Sequence, residues 1–524
     1  MKKGNLVKRI ASVLLPTLLV FGSSQLGQAQ VSVLTYHNDN FRTGANTNET
    51  VLTPAIVSSN IFKRVFTRAV DGYVYAQPLV AAGVHVRRGR MRNVVYVATE
   101  HDSVYAFDAD TGGRYWRRTL LPRHGHTVSS NDVTCTDLIP EIGVTSTPVI
   151  DATTSTLYVL EKGKTNTVFF QRLHALDLAT GAEKFGGPVT LAASVVGAGD
   201  GAVNGIVPYD SFTQHQRSGL LLANNIVYVA SASHCDHNPY HGWILGYDAT
   251  NLQQAAVFNA TPYGFRGGIW MGGSGPAADD QGNIYCSTGN GTFDADTGGN
   301  DYGDSVVKLD GNNALAVVDF FTPFNEADLE INDTDLGSGG VLLLPDQPGA
   351  HPHEAITAGK EGTLYVLDRD NLGQFQSGSD SQIVQSLPSA TGASFYTPAY
   401  FNGFIYCHGT ADVLRCFSVV NGLLSTTPVS QSVTVFEFPG ATPSVSANGT
   451  NNAIVWTIQT DAYETPKGQA VLHAYDANDL TRELFNSTTR GQPPGNAVKF
   501  AVPTIANGRV YVGAVKRLTV YGLR

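Results

Sequence analysis

Five oxygen-bearing side chains stand close together at Asp294, Asp296, Asn300, Asp301 and Asp304. Hard oxygens at that density suit Ca²⁺, which takes about six to eight such ligands, so Asp294 and Asp296 are expected metal carboxylates. A second polar stretch, His234-Cys235-Asp236-His237-Asn238-Pro239-Tyr240-His241, could combine with His124, His126, Asp132 and Glu141 in a metal or acid–base site. No pair among them has a zinc spacing such as His-Glu-x-x-His, which favours structural or solvated roles. Cys135 and Cys235 fall in two long connections, and a disulfide between them would pin those connections together. Cys407 and Cys416 lie on neighbouring strands of one hairpin, where buried free thiols are expected. The chain has no nucleophile elbow, no legible catalytic triad and no phosphate-cradling glycine loop, so no nicotinamide cofactor is expected. Without a Cys-x-x-Cys-His motif, no attached haem is expected either.

These residues sit in the gaps of a repeat. A strand such as Val95-Tyr96-Val97 is followed by Val104-Tyr105-Ala106-Phe107-Asp108 and a Thr-Gly turn. The pattern recurs from Leu157, Val227, Ile284, Ala358, Ile405, Ile454 and Val510, which makes eight copies. The closing aspartates are spaced by roughly 50 to 70 residues, the scale of a four-stranded blade. Each aspartate can bond its own backbone while the glycine takes the positive-φ position of the turn. Apolar residues at alternate positions face the neighbouring blades. The expected fold is therefore all-β, an eight-bladed β-propeller. The last copy stops after its third strand, and Phe62 to Ala69 alternates, so that N-terminal strand is expected to complete the final blade and remove the open edge. Helices should be scarce.

In a propeller the connections after the second and fourth strands of each blade gather around a central funnel. The long connections here are Leu121 to Val144, Leu191 to Arg217, Ser231 to Trp243, Cys286 to Ser305 and Thr322 to Ser338. Length concentrated on one face of a rigid ring marks a binding site. His351-Pro352-His353-Glu354 precedes a second strand and belongs to the opposite face.

Residues 1–29 have the layout of a secretory signal. Lys2, Lys3, Lys8 and Arg9 precede an apolar stretch from Ile10 to Phe21, and Gly27-Gln28-Ala29 supplies small residues for cleavage after Ala29. The apolar stretch falls short of the ~20 residues needed to span a bilayer. No cysteine at the cleavage point offers a lipid anchor, so a periplasmic or secreted protein is expected, with residues 30–524 as a single propeller. Losing four positive charges takes the formal net charge from −10 to −14. An acidic chain argues against nucleic-acid and membrane-surface partners and leaves a small molecule or a protein at the funnel, with the chain as a monomer.

The segments Gly267-Gly268-Ile269-Trp270, Ser287-Thr288-Gly289-Asn290-Gly291 and Gly298-Gly299-Asn300-Asp301-Tyr302 resemble one stretch of the pyrroloquinoline quinone (PQQ)-dependent alcohol dehydrogenases. The resemblance implies that Trp270 is the floor under a quinone and that Asn290 is a calcium ligand, with Asn300 in the cofactor-binding set. The family's catalytic aspartate corresponds to Gly299, which has no group to accept a proton. Asp301, two residues on, is the replacement that the pattern offers. The family's calcium glutamate also has no counterpart, leaving Asp236, and the adjacent-cysteine disulfide is missing. Two readings follow. One is a binding or scaffold propeller with a diverged PQQ site, and the other is a PQQ- and calcium-dependent alcohol or sugar dehydrogenase.

Overall fold

The computed structural model describes residues 1, 30–86 and 89–523, so the expected signal segment lies outside the described residues apart from Met1. The chain divides into two units, Met1–Gln30 and Val31–Arg524, and the second is the propeller. Among the described residues, no helix is long and apolar enough to cross a membrane.

The unit is an eight-bladed β-propeller. Blade 1 comprises Leu79–Val86, Arg90–Thr99, Ser103–Asp108 and Arg114–Thr119 in antiparallel order. Its third strand is buried along its full length, because both faces of a blade are covered by neighbours. The Asp-x-x-Thr-Gly turns form as their chemistry dictates. Asp108 accepts from the Thr111 amide at 2.8 Å and Asp177 from the Thr180 amide at 2.9 Å, while Gly112 and Gly181 take φ of 72° and 70°.

The repeated tyrosine has a second function. The Tyr96 hydroxyl of blade 1 donates to Leu178 O in blade 2, and Tyr158 of blade 2 donates to Ala249 O in blade 3. Tyr228 reaches Gly311 O, Tyr406 reaches Ala477 O, and Tyr511 of blade 8 reaches Ala109 O of blade 1. Each acceptor directly follows the closing aspartate, or the residue in its place, of the next blade. These bonds therefore bolt one blade to the next around the ring, each worth about 1 kcal/mol.

Blade 8 closes the circle. Arg509–Leu523 turns back on itself at Lys516 (φ 54°), so that Arg509 Nη1 meets Leu523 O at 3.0 Å. Thr504–Ala506 pairs with its first arm, and Phe62–Tyr73 pairs antiparallel with its second from Phe62↔Leu523 to Ala69↔Arg517, then shifts register to set Tyr73 opposite Val515 just before the turn. The N-terminal strand thus runs a little beyond the expected Ala69.

Residues 31–46 form a strap that touches every blade. Val31 N donates to Asn507 Oδ1 of blade 8, and Val33 pairs with Val80 of blade 1. Leu34 O accepts from Ile150 of blade 2, and Asn40 bonds both Leu222 O of blade 3 and Ala278 N of blade 4. Phe41 O, Thr43 O and Gly44 O accept from Leu343, Tyr400 and Val445 of blades 5, 6 and 7, and Asn46 returns to Ile505 O of blade 8. Arg42 anchors it, fully buried, with Nε and Nη2 on Pro276 O and Nη1 on Thr35 Oγ1 and Tyr36 O. Nothing in the repeat pattern announces this strap, because its contacts are mainly backbone.

Candidate binding site in the funnel

A cavity of about 310 Å³ opens among the connections that lead into the inner strands and those that join second to third strands. Trp270, Phe395, Phe438 and Phe500 enter from the first kind, with Arg217 and Lys499. Asp236, Asn290 and Lys360 enter from the second, and Asp333 and Asp335 follow the short helix Glu326–Asn332. Trp270 is seated tightly. A Cβ at Gly268 would fall 2.7 Å from its indole nitrogen, so only glycine lets the ring lie there. His215 and Tyr240 stand edge-on to the indole, with ring centres 6.5 and 6.4 Å away.

One part of the cavity is basic. The Arg217 guanidinium lies 5.2 Å from the Trp270 ring centre and 4.9 Å from that of Phe500. Arg217 Nη2 bonds Asp137 at 2.9 Å, while Lys499 Nζ stands 3.9 Å from the same carboxylate and faces the rings of Tyr463, Phe438 and Phe500. Burial pushes Lys499 down to about 8. Burial also raises Asp137, but Arg217 and Lys499 outweigh it and hold that carboxyl below its ordinary value.

The other part is acidic. Lys360 Nζ bonds Asp333 at 2.6 Å and Asp335 at 2.7 Å, and Asp236 accepts from the Tyr240 hydroxyl at 2.6 Å. Burial raises Asp335 despite the adjacent ammonium of Lys360. Asn290 donates to Asp333 at 3.0 Å, and its buried Oδ1 has no partner among the described residues. Behind this wall Asp304 accepts from Leu336 N at 3.0 Å and braces the turn that carries Asp335; burial lifts its carboxyl well above the usual range.

The residues singled out in the sequence separate into two groups. Trp270, Asn290 and Asp236 come together on the cavity. Asp301, Asp294, Asp296 and Asn300 do not line it. Asp301 is buried and accepts from Tyr263 N at 2.9 Å, and Asp294 accepts from Asp301 N at 2.8 Å, so both carboxylates serve their own loop. Asp296 and Asn300 are exposed. A Cβ at Gly299 would meet Asp294 Cγ at 2.0 Å, so the space beside the glycine is already filled. Cys135 and Cys235 are bonded, and each lies within two residues of a cavity carboxylate, Asp137 or Asp236. Cys407 and Cys416 are buried and free. Three polar residues of the other long loops have local partners: Glu141 bonds His101 at 2.8 Å, Asp132 pairs with Lys164, and His241 bonds Asp200 O and Thr261, whereas His234 is buried against the His215 ring with both ring nitrogens unpartnered among the described residues. Sequence reading missed Asp137, Arg217, Asp333, Asp335, Lys360 and Lys499. The doubled Asp333-Thr334-Asp335 before a glycine turn was the one local signal available.

Fold and funnel together define a quinoprotein-type propeller. The chain belongs to the PQQ glucose/ethanol/alcohol dehydrogenase β-propeller domain family, whose model matches residues 81–374. It is similar in structure to the quinohemoprotein alcohol dehydrogenase from Comamonas testosteroni, with a TM-score of 0.60 and 15% identity over 95% of this chain and 81% of that one. It is also similar to a europium-containing methanol dehydrogenase, with a TM-score of 0.60 and 12% identity over 94% and 98% of the two chains. A third similar structure is the quinohemoprotein alcohol dehydrogenase ADHIIG from Pseudomonas putida HK5, with a TM-score of 0.57 and 13% identity over 94% and 80%. At such identities the likeness is one of fold. No curated protein matches the chain.

Proposed function

We propose that this is an exported binding propeller whose funnel cavity takes a small ligand, and that it lacks a working quinone redox centre. The observation that carries this reading is the position of Arg217, whose guanidinium covers a face of the Trp270 indole. A stacked ring needs that kind of surface for itself.

The residues present do not fit a quinone and calcium ion acting as a redox pair. Gly299 and its loop do not line the cavity, so a proton acceptor for a substrate hydroxyl would have to be Asp137, Asp236, Asp333 or Asp335, and Asp137 is bonded by Arg217 while Asp236 already accepts from the Tyr240 hydroxyl. Two of the cavity carboxylates, Asp333 and Asp335, are already paired with Lys360. Export is supported by the N-terminal charge and apolar pattern, and the acidic charge supports a ligand that is neither nucleic acid nor membrane.

A dehydrogenase is the second reading. It is favoured by the unpartnered Asn290 Oδ1, an oxygen donor aimed among carboxylates as a hard cation requires. The deciding experiment is a titration with PQQ, with and without Ca²⁺, that follows Trp270 fluorescence. The binding reading expects no saturable quenching at tens of micromolar quinone. Calcium-dependent quenching that is lost in Trp270→Ala would establish the dehydrogenase reading instead.

A further inference from the structure

The charges on the cavity fall into two groups that share no ion pair. Arg217 and Lys499 face one carboxylate, Asp137, so this group carries one positive charge in excess. Both cations are nearly buried, with side chains 8% and 6% exposed. Arg217 Nε is buried and has no partner among the described residues, and for Lys499 Nζ the one carboxylate within reach is 3.9 Å away. Asp236, Asp333 and Asp335 face one ammonium, that of Lys360, so the second group carries an excess of negative charge, and Asn290 Oδ1 adds an unsatisfied acceptor. Trp270, Phe395, Phe438 and Phe500 supply the apolar surface of the same cavity.

Unsatisfied buried donors in one group and unsatisfied buried acceptors in the other are costly unless a ligand answers both. An anion alone satisfies the first group and is repelled by the second; a cation alone does the reverse. We propose that the cavity selects a small zwitterion, an aromatic body bearing a carboxylate for Arg217 and Lys499 and an ammonium for Asp335 and Asp236. The proposal rests on reading the funnel as a binding cavity. Its volume of about 310 Å³ is at the small end of ligand sites, which suits a molecule the size of an aromatic amino acid.

The test uses the purified protein, a chelator to exclude divalent cations, and three probes that share one ring: phenylalanine, 3-phenylpropionate and 2-phenylethylamine. Titration calorimetry should give phenylalanine at least tenfold tighter binding than either probe with a single charge. Arg217→Gln should bring phenylalanine down to the level of 2-phenylethylamine, whose own binding is kept or tightened once the repelling cation is gone, which also reports that the variant is folded. Asp335→Asn should do the converse with 3-phenylpropionate. Equal binding of all three probes, tighter binding of a singly charged one, or no binding of any would overturn the zwitterion. The quinone titration judges the underlying reading separately. Calcium-dependent quinone binding would defeat that reading, whereas silence in both experiments would defeat the zwitterion alone.

Discussion

Arg217 Nη2 holds Asp137 at 2.9 Å across 80 residues of sequence, and the same guanidinium rests over the ring of Trp270. One cation thus ties a carboxylate from the connection between blades 1 and 2 to an indole from the connection between blades 3 and 4. A cation over an aromatic face that is shielded from water is worth about 1–2 kcal/mol. In a double-mutant cycle monitored by urea unfolding, Arg217→Met and Trp270→Leu should therefore show a coupling of about 1 kcal/mol or more. Additive effects would mean that the two groups do not interact in solution.

The Cys135–Cys235 bridge spans 100 residues. Its loss should lower stability by about 2–4 kcal/mol through the freedom returned to the unfolded chain. Because Asp137 and Asp236 flank it, Cys135→Ser with Cys235→Ser should also weaken ligand binding at the funnel. Thermal unfolding and calorimetry on the double variant measure the two effects separately.

Glu100 is fully buried, with Oε2 held by Gly143 N at 2.7 Å and Thr145 Oγ1 at 3.1 Å and with Oε1 unpartnered among the described residues. Burial raises its carboxyl from 4.5 to about 8. Between those values the folded state keeps a proton that the unfolded state releases, so this group's contribution is intact below pH 4.5 and is lost as pH rises through 8. Glu100→Gln removes that dependence. At about 1.4 kcal/mol per pKa unit, the stability of the variant relative to the parent should rise by several kcal/mol from pH 4.5 to 8. A difference that stays constant with pH would show that Glu100 ionises normally.

Arg42 is the hub of the strap, and its guanidinium satisfies the carbonyls of Pro276 and Tyr36. Arg42→Met leaves those buried oxygens unpaired, and a loss of about 3–5 kcal/mol is expected, as for breaking other buried charged contacts. Urea denaturation measures it. A change below about 1 kcal/mol would mean that the strap adds little to the closed ring.

The blades were legible in the chain because their causes are local. Alternation such as Val104-Tyr105-Ala106-Phe107 makes a two-sided strand wherever it occurs, and Asp with Thr-Gly makes its turn from adjacent atoms. Phe62 to Ala69 was recognisable for the same reason, as an alternating strand without a partner. Trp270, Asn290 and Asp236 could be picked out because they stand in, or replace residues of, a recognisable pattern. Asp301 was misplaced, since a pattern gives the order of residues but not the direction a loop turns them. Tertiary structure alone decided the rest. Asp137 and Lys499 are 362 positions apart and meet because the ring closes, placing the last connection beside the first. The strap is equally invisible in the repeat pattern, since its backbone bonds with inner strands from all round the ring depend on where the blades end up.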